Sequence, residues 1–416
     1  MPKLSHSELI QVLVQLGIML GMGRIMAELA RKFRQPAVVG ELIAGVILGP
    51  AVMGAVSLEL FENVFPSYGQ SAIVLDGFTR VAVIMLLFIA GLEVDLHIVF
   101  QQGKQAIYSS ILGLLIPFFL GFIVPYFFPE FFHQPQTEDL LIFALFMGTA
   151  MAISALPVIV RIMMDLKLFK TRIGMLVVAS AMVDDVIGWM IFSVLLSLIG
   201  KSKEISVLST LLLTVGFAVF MLTIGRGLLN RVLPWINRKL AWPGGLLSLA
   251  LALCFLAAAF TEYIGLHAVF GAFMVGIALG DSDHMSERAK EIVHQFINNI
   301  FAPLFFVAIG LRLNFLVHFD AALTLVIIFI AFAGKVIGSG MGTRLGGFSW
   351  RESLAAGFGM NARGAMEIIL GIVALENGLI NERVFVSLVV MALVTSMTSG
   401  PIMRWLLEPS NEPSSA

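Results

Sequence analysis

Two adjacent carboxylates, Asp184 and Asp185, stand near the middle of an apolar run from about residue 173 to 199. About 20 apolar residues cross a bilayer core, so this run places both side chains near the bilayer centre. An ionised Asp costs about 2.5–3.5 kcal/mol there on insertion scales. Two neighbours cost more, because each charge opposes the ionisation of the other. Such a pair persists when protons, a metal cation or a basic partner neutralises it, which is the chemistry of a site where protons and cations compete. The other reading of the pair is a hydrogen-bonded anchor inside a packed interior. A basic partner of suitable depth exists: Lys335, in Ala333-Gly334-Lys335-Val336-Ile337-Gly338, lies too far from either end of its apolar run to snorkel comfortably. Asp184 or Asp185 is its natural counter-ion, with a headgroup or backbone carbonyls as the alternative. A buried Lys also exchanges protons more readily than Arg.

Two further stretches read as interrupted helices at membrane depth. Gly148-Thr149-Ala150-Met151-Ala152-Ile153-Ser154-Ala155-Leu156-Pro157 brings two hydroxyls and a proline into mid-membrane. Gly357-Phe358-Gly359-Met360-Asn361-Ala362-Arg363-Gly364-Ala365-Met366-Glu367 brings three glycines, an amide and two charges. Unwound backbone is tolerated at that depth only where protein or a water-filled cavity satisfies it. Interruptions at matching places in two halves of a chain point to a transporter's ion site. The two hydroxyls are those of Thr149 and Ser154. Arg363 and Glu367, one helical turn apart, can pair on one face. With Asn361 and Pro157 they read as residues that hold the crossing in shape, with direct transport chemistry as the alternative for the charged two.

The elements that must position these residues follow from composition. Of 416 residues, 59% are hydrophobic and 13% charged, against about 25% charged in soluble domains. That much apolar surface requires lipid as solvent. Hydropathy between charged or proline-rich breaks gives about 13 spans, at 8–29, 36–56, 72–92, 106–128, 139–160, 173–199, 206–225, 244–262, 264–280, 293–311, 320–343, 353–375 and 384–407. The fold class expected is therefore all-α integral membrane. Residues 1–408 form one transporter unit, an inverted repeat of halves 8–199 and 244–407 with 206–225 as connector. The two discontinuous segments run in opposite directions and cross. A first span that is retained, a short disordered tail at 409–416 and no room for a soluble regulatory domain complete the expectation.

Lys and Arg cluster after the odd-numbered spans, from Arg31 and Lys32 through Arg238 and Lys239 to Arg351 and Arg404. Only Lys3, Lys201, Lys203, Arg312 and Arg383 fall on the other side. This asymmetry sets an N-terminus outside and a C-terminus in the cytoplasm of a cell membrane. Four basic residues remain within or at the edge of spans: Arg24, Arg80, Lys335 and Arg363. Glu41, Glu93, Asp95 and Glu262 read as helix-end or packing residues, and His267 as an interfacial residue or a pH sensor. Cys254 is alone, so there is no disulfide framework and no thiolate metal site. No phosphate-binding glycine loop, nucleophile elbow or dinucleotide fingerprint occurs, so the chain reads as a non-enzyme without cofactor. The net charge of −1 points to no nucleic-acid partner.

Several stretches, taken in order, resemble the monovalent cation/proton antiporter superfamily, second branch. They are Gly40-Glu41-Leu42-Ile43-Ala44-Gly45-Val46-Ile47-Leu48-Gly49-Pro50, Leu87-Phe88-Ile89-Ala90-Gly91-Leu92-Glu93, the 149–161 run ending Pro157-Val158-Ile159-Val160-Arg161, and Asp184-Asp185. The C-terminal half adds His267-Ala268-Val269-Phe270-Gly271-Ala272-Phe273, Leu304-Phe305-Phe306-Val307 and Asn361-Ala362-Arg363-Gly364. The branch includes bacterial sodium/proton antiporters, the membrane part of glutathione-gated potassium efflux systems and plant cation/proton exchangers. The resemblance implies a core domain with crossed broken helices, a separate dimerisation domain and hence a homodimer, and elevator-like alternating access. It assigns Na+ or K+ and the proton to Asp185, with Asp184 and Lys335 as a switchable pair and with Thr149, Ser154 and carbonyls of the unwound 148–157 stretch as further oxygen ligands. Asp184, where the plant members usually carry Asn, favours electrogenic sodium-type chemistry, whereas the 149–161 and 361–367 runs read closer to the potassium-handling members. The readings from other classes are a gated cation efflux channel and a sensor of the same family that has lost transport.

If Asp185 carries the exchanged ions, Asp185→Asn, whose amide cannot ionise, abolishes exchange in proteoliposomes. Substantial residual exchange in that variant would remove Asp185 from the ligand role.

Overall fold

The computed structural model describes residues 4–33, 35–66, 68–135, 139–199, 207–240, 242–282, 284–312 and 314–407. The expected tail at 409–416 lies outside them. Every regular element among the described residues is helical. Among the described residues, eleven helices are long and apolar enough to cross a membrane. The two remaining segments of the expected 13 are present in other forms. The 264–280 stretch yields only the shorter helix Ala268–Gly280, because the preceding Gly244–Tyr263 helix ends in a Schellman turn. Gly265, at φ +85°, lets Leu266 N–H reach Thr261 O and its own N–H reach Glu262 O. The 353–375 stretch is divided into Trp350–Met360 and Ala365–Glu376.

The connector differs from expectation. The helix does not stop at residue 225 but runs through Val207–Phe220, a π turn at Met221–Gly225 and Arg226–Lys239. Hydropathy marks where apolar residues end, and helical hydrogen bonding continues past that point because Leu229, Leu233 and Ile236 bury one face of the basic stretch.

The chain forms two compact units, each built from three stretches. The first comprises residues 1–96, 189–320 and 372–386, and the second residues 97–188, 321–371 and 387–416. Helices of the first unit pack through glycine. A Cβ on Gly276 would lie 2.9 Å from Gly91 Cα and 3.0 Å from Leu92 N, so Gln70–Leu92 and Ala268–Gly280 meet backbone to backbone. Without water to drive helices together, such close van der Waals approach is what holds a membrane bundle. The second unit uses the same device where Gly334 of Ala321–Leu345 abuts Pro117 of the Gln102–Phe127 span. It also holds the most enclosed span: in Leu140–Met164, 78% of the most apolar stretch is buried inside the protein, against 22% in His6–Lys32. That enclosure is what permits the backbone of Leu140–Met164 to unwind.

Gly276→Ala forces backbone apart, and overpacking of this kind costs about 1–3 kcal/mol. Its melting temperature in detergent should fall clearly. Gly216→Ala, where the added carbon meets nothing within 4 Å, should melt at or above wild type.

Candidate ion site at the helix crossing

Pro157 favours the first interruption, although Pro117, Pro234, Pro303 and Pro401 stay inside helices elsewhere in the chain. In a continuous helix the Pro157 ring would collide with the carbonyl of Ile153 and would lack an N–H to donate. Instead, Leu140–Ala152 ends, Ile153 and Ala155 adopt extended backbone, and Leu156–Asp165 restarts with Pro157 in its first turn. There the missing N–H costs nothing, since first-turn donors have no intrahelical partner. The second interruption begins at Asn361, the residue that closes Trp350–Met360. The two breaks are bonded to each other: Ala155 N–H donates to Ala362 O at 3.0 Å. Gly364 permits the approach, since a Cβ there would lie 2.7 Å from Val158 Cγ2.

Unwinding leaves the last carbonyls of Leu140–Ala152 without helical donors. Two cations supply them. Arg363 donates to Ala150 O at 2.6 Å and to Met151 O, and Lys335 Nζ donates to Ala152 O at 2.5 Å. Positive charge is also what the negative end of a helix dipole favours. Glu367 completes the balance. It receives Arg363 at 2.9 Å on both carboxylate oxygens and stands in the first turn of Ala365–Glu376, at the positive dipole end. Arg363 is fully buried and Glu367 is 2% exposed. Ser396 donates its hydroxyl to Arg363 O and ties the second break to Glu382–Leu407.

Lys335 also forms an ion pair with Asp184 at 2.6 Å, both side chains being fully buried. Of the two carboxylates the residue pattern left open, Asp184 is the one that meets Lys335. Asp184 further accepts from Ser110 at 2.6 Å and from Ser154 at 3.4 Å. Ser110 was missed from sequence; its only signal was a hydroxyl pair, Ser109-Ser110, in an otherwise apolar span. Asp185 is equally buried and lies within electrostatic reach of Lys335. Thr149 spends its hydroxyl proton on Leu145 O at 2.8 Å, so only its oxygen lone pairs remain for a ligand. Asn361 donates its backbone N–H to Phe358 O, and among the described residues neither atom of its buried side-chain amide meets a hydrogen-bond partner.

The other in-span cations behave differently. Arg24, with its side chain 54% exposed, pairs with Glu28, and Arg80, 63% exposed, pairs with Asp76. Of the four, only Lys335 and Arg363 are buried. Glu262 and His267 both act as helix-end residues, accepting from the N–H groups of Ala268 and Val269. Glu93 pairs with His294 at 3.1 Å, and Glu41 is buried in Ala37–Leu48.

Interrupted helices bonded around buried ionisable side chains, within a multi-pass membrane bundle, define a secondary transporter. The chain belongs to the sodium/hydrogen exchanger family, matching its transmembrane description over residues 18–408. It is 32% identical to the Na(+)/H(+) antiporter NhaS4 of Synechocystis, over 95% of this chain and 97% of that protein. It is 31% identical to the Cation/H(+) antiporter 17 of Arabidopsis thaliana over 96% of this chain, yet spans only 48% of that relative's length. The fold is shared with the sodium proton antiporter MjNhaP1 of Methanocaldococcus jannaschii, at a TM-score of 0.66 and 17% identity, covering 95% of this chain and 96% of that one.

Removing one partner of a buried ion pair costs about 3–5 kcal/mol. Arg363→Ala also strands the carbonyls of Ala150 and Met151, so it should lower the detergent melting temperature far more than it shifts apparent ion affinity. Normal melting with a large affinity change would move Arg363 from the scaffold of the crossing into the transport step.

Proposed function

We propose that this protein is an antiporter that exchanges Na+ or K+ for protons by alternating access. The observation that carries the reading is the fully buried Asp184–Lys335 pair at the end of an unwound helix, with Asp185 beside it. Asp185 binds the cation and the proton in alternation. Oxygens of Thr149 and Ser154 and carbonyls of the unwound 153–155 stretch complete the cation's shell, oxygen being the donor that hard cations take. Asp184 and Lys335 neutralise each other while the site is protonated and separate when the cation enters. Arg363, Glu367, Asn361 and Pro157 hold the crossing. Sequence similarity to NhaS4 along nearly the whole chain supports the sodium reading, and similarity to the plant cation exchanger supports a wider monovalent range. The protein works as a homodimer in a cell membrane, with its N-terminus outside and its C-terminus in the cytoplasm, as the distribution of Lys and Arg supports.

A lone Asp exchanging one proton for one cation would be electroneutral. Two carboxylates sharing one Lys offer a second proton, released or taken up as the Asp184–Lys335 pair opens and closes. Two protons per cation move net charge, so turnover should respond to voltage by about 2.3 kcal/mol per charge per 100 mV. On solid-supported membranes, wild type should give a cation-induced current. Lys335→Arg, which stays protonated, should lose that current and keep a slower exchange in dye assays. Wild-type protein that exchanges normally without current would sink the two-proton scheme and leave Asp185 working alone.

A further inference from the structure

The helix that runs without a break from Val207 to Lys239 reaches about 50 Å at 1.5 Å per residue. A bilayer core needs only about 30 Å, so part of it must leave the hydrocarbon. Its composition says which part. No charged residue occurs from Val207 to Gly225, whereas Arg226, Arg231, Arg238 and Lys239 follow, with no acidic residue before Trp242.

The basic part has two faces. One is docked: Leu229, Leu233 and Ile236 are buried, Arg226 pairs with Asp281 at 3.0 Å, and Asn230 accepts the Ser282 hydroxyl. The other is open. Arg231, Trp235, Arg238 and Lys239 follow one another at helical spacing and are all exposed, Trp235 by 57% and neighbouring Leu228 by 59%. Among the described residues Arg231, Arg238 and Lys239 have no acidic partner. Just past the helix end, the exposed Arg288 guanidinium stacks 4.8 Å over Trp242, which leaves its N–H edges clear for an oxyanion.

We propose that this face binds the headgroups of anionic phospholipids in the leaflet it meets. Phosphate oxygens accept from Arg231, Arg238, Lys239 and Arg288, while Trp235 and Leu228 sit at the acyl boundary. The commitment to lipid rather than free phosphate rests on those two apolar side chains. They share the face with the basic groups, as in helices that lie in a membrane interface, and a soluble anion has no use for them.

The test uses the full chain in detergent, melted with added phosphatidylglycerol or phosphatidylcholine. Phosphatidylglycerol should raise the wild-type melting temperature above the phosphatidylcholine value. The combined variant Arg231→Gln, Arg238→Gln, Lys239→Gln should lose most of that gain while melting like wild type in phosphatidylcholine. Replacing the two arginines by Lys should keep it. Screening offers a check that needs no variant: raising choline chloride from about 0.05 to about 0.5 M should remove the wild-type gain, since exposed charges are screened at that strength. A full gain in the glutamine variant, a gain insensitive to salt, or the same gain from inorganic phosphate alone would each overturn the proposal.

Discussion

Three carbonyls at the end of Leu140–Ala152 set the terms for the interior of the second unit. A helix that stops inside a membrane exposes backbone acceptors that lipid cannot satisfy. Here Ala150, Met151 and Ala152 are served by Arg363 and Lys335. Each cation then requires an anion, and Glu367 and Asp184 supply them. The Arg363–Glu367 and Asp184–Lys335 pairs thus both follow from one broken helix.

The two cations differ in how firmly they are committed. Arg363 meets two carbonyls through Nη1 and Nη2 and, through Nη1, both oxygens of a carboxylate one turn away on its own segment, contacts that the several donors of a guanidinium can divide among them. Lys335 makes one carbonyl contact and one carboxylate contact, with a partner on a different helix. The Lys–Asp pair joins two helices, whereas the Arg–Glu pair is made by residues four apart, at the second break and the helix that follows it. This division suits a site in which one pair must hold its shape while the other yields to an entering ion. A buried pair is costly to desolvate and weak as a stabiliser, which supports the exchange role proposed for the Asp184–Lys335 pair.

Packing by glycine complements this. Where Gly276 meets Gly91, or Gly334 meets Pro117, helices approach closely without polar side chains between them.

Composition and hydropathy determined the membrane class and the approximate span limits, because burial in lipid is a property of local sequence. The two interruptions were equally legible. Pro157 disfavours a continuous helix, and Asn361 to Gly364 carries an amide, a charge and a glycine that a lipid-facing helix rejects. The tertiary structure decided the partners. Asp184 and Asp185 are neighbours pointing about 100° apart on a helix, and only the placement of Ala321–Leu345 selects Asp184 for Lys335. Ser110 looked like any small residue in an apolar span until its helix set it 2.6 Å from Asp184. The Schellman turn at Gly265 and the continuation of the connector to Lys239 also lay beyond hydropathy, since both are settled by backbone hydrogen bonds and by which face finds a neighbour. Local polarity says where a side chain must find a partner, and only the packing of distant segments says which partner it finds.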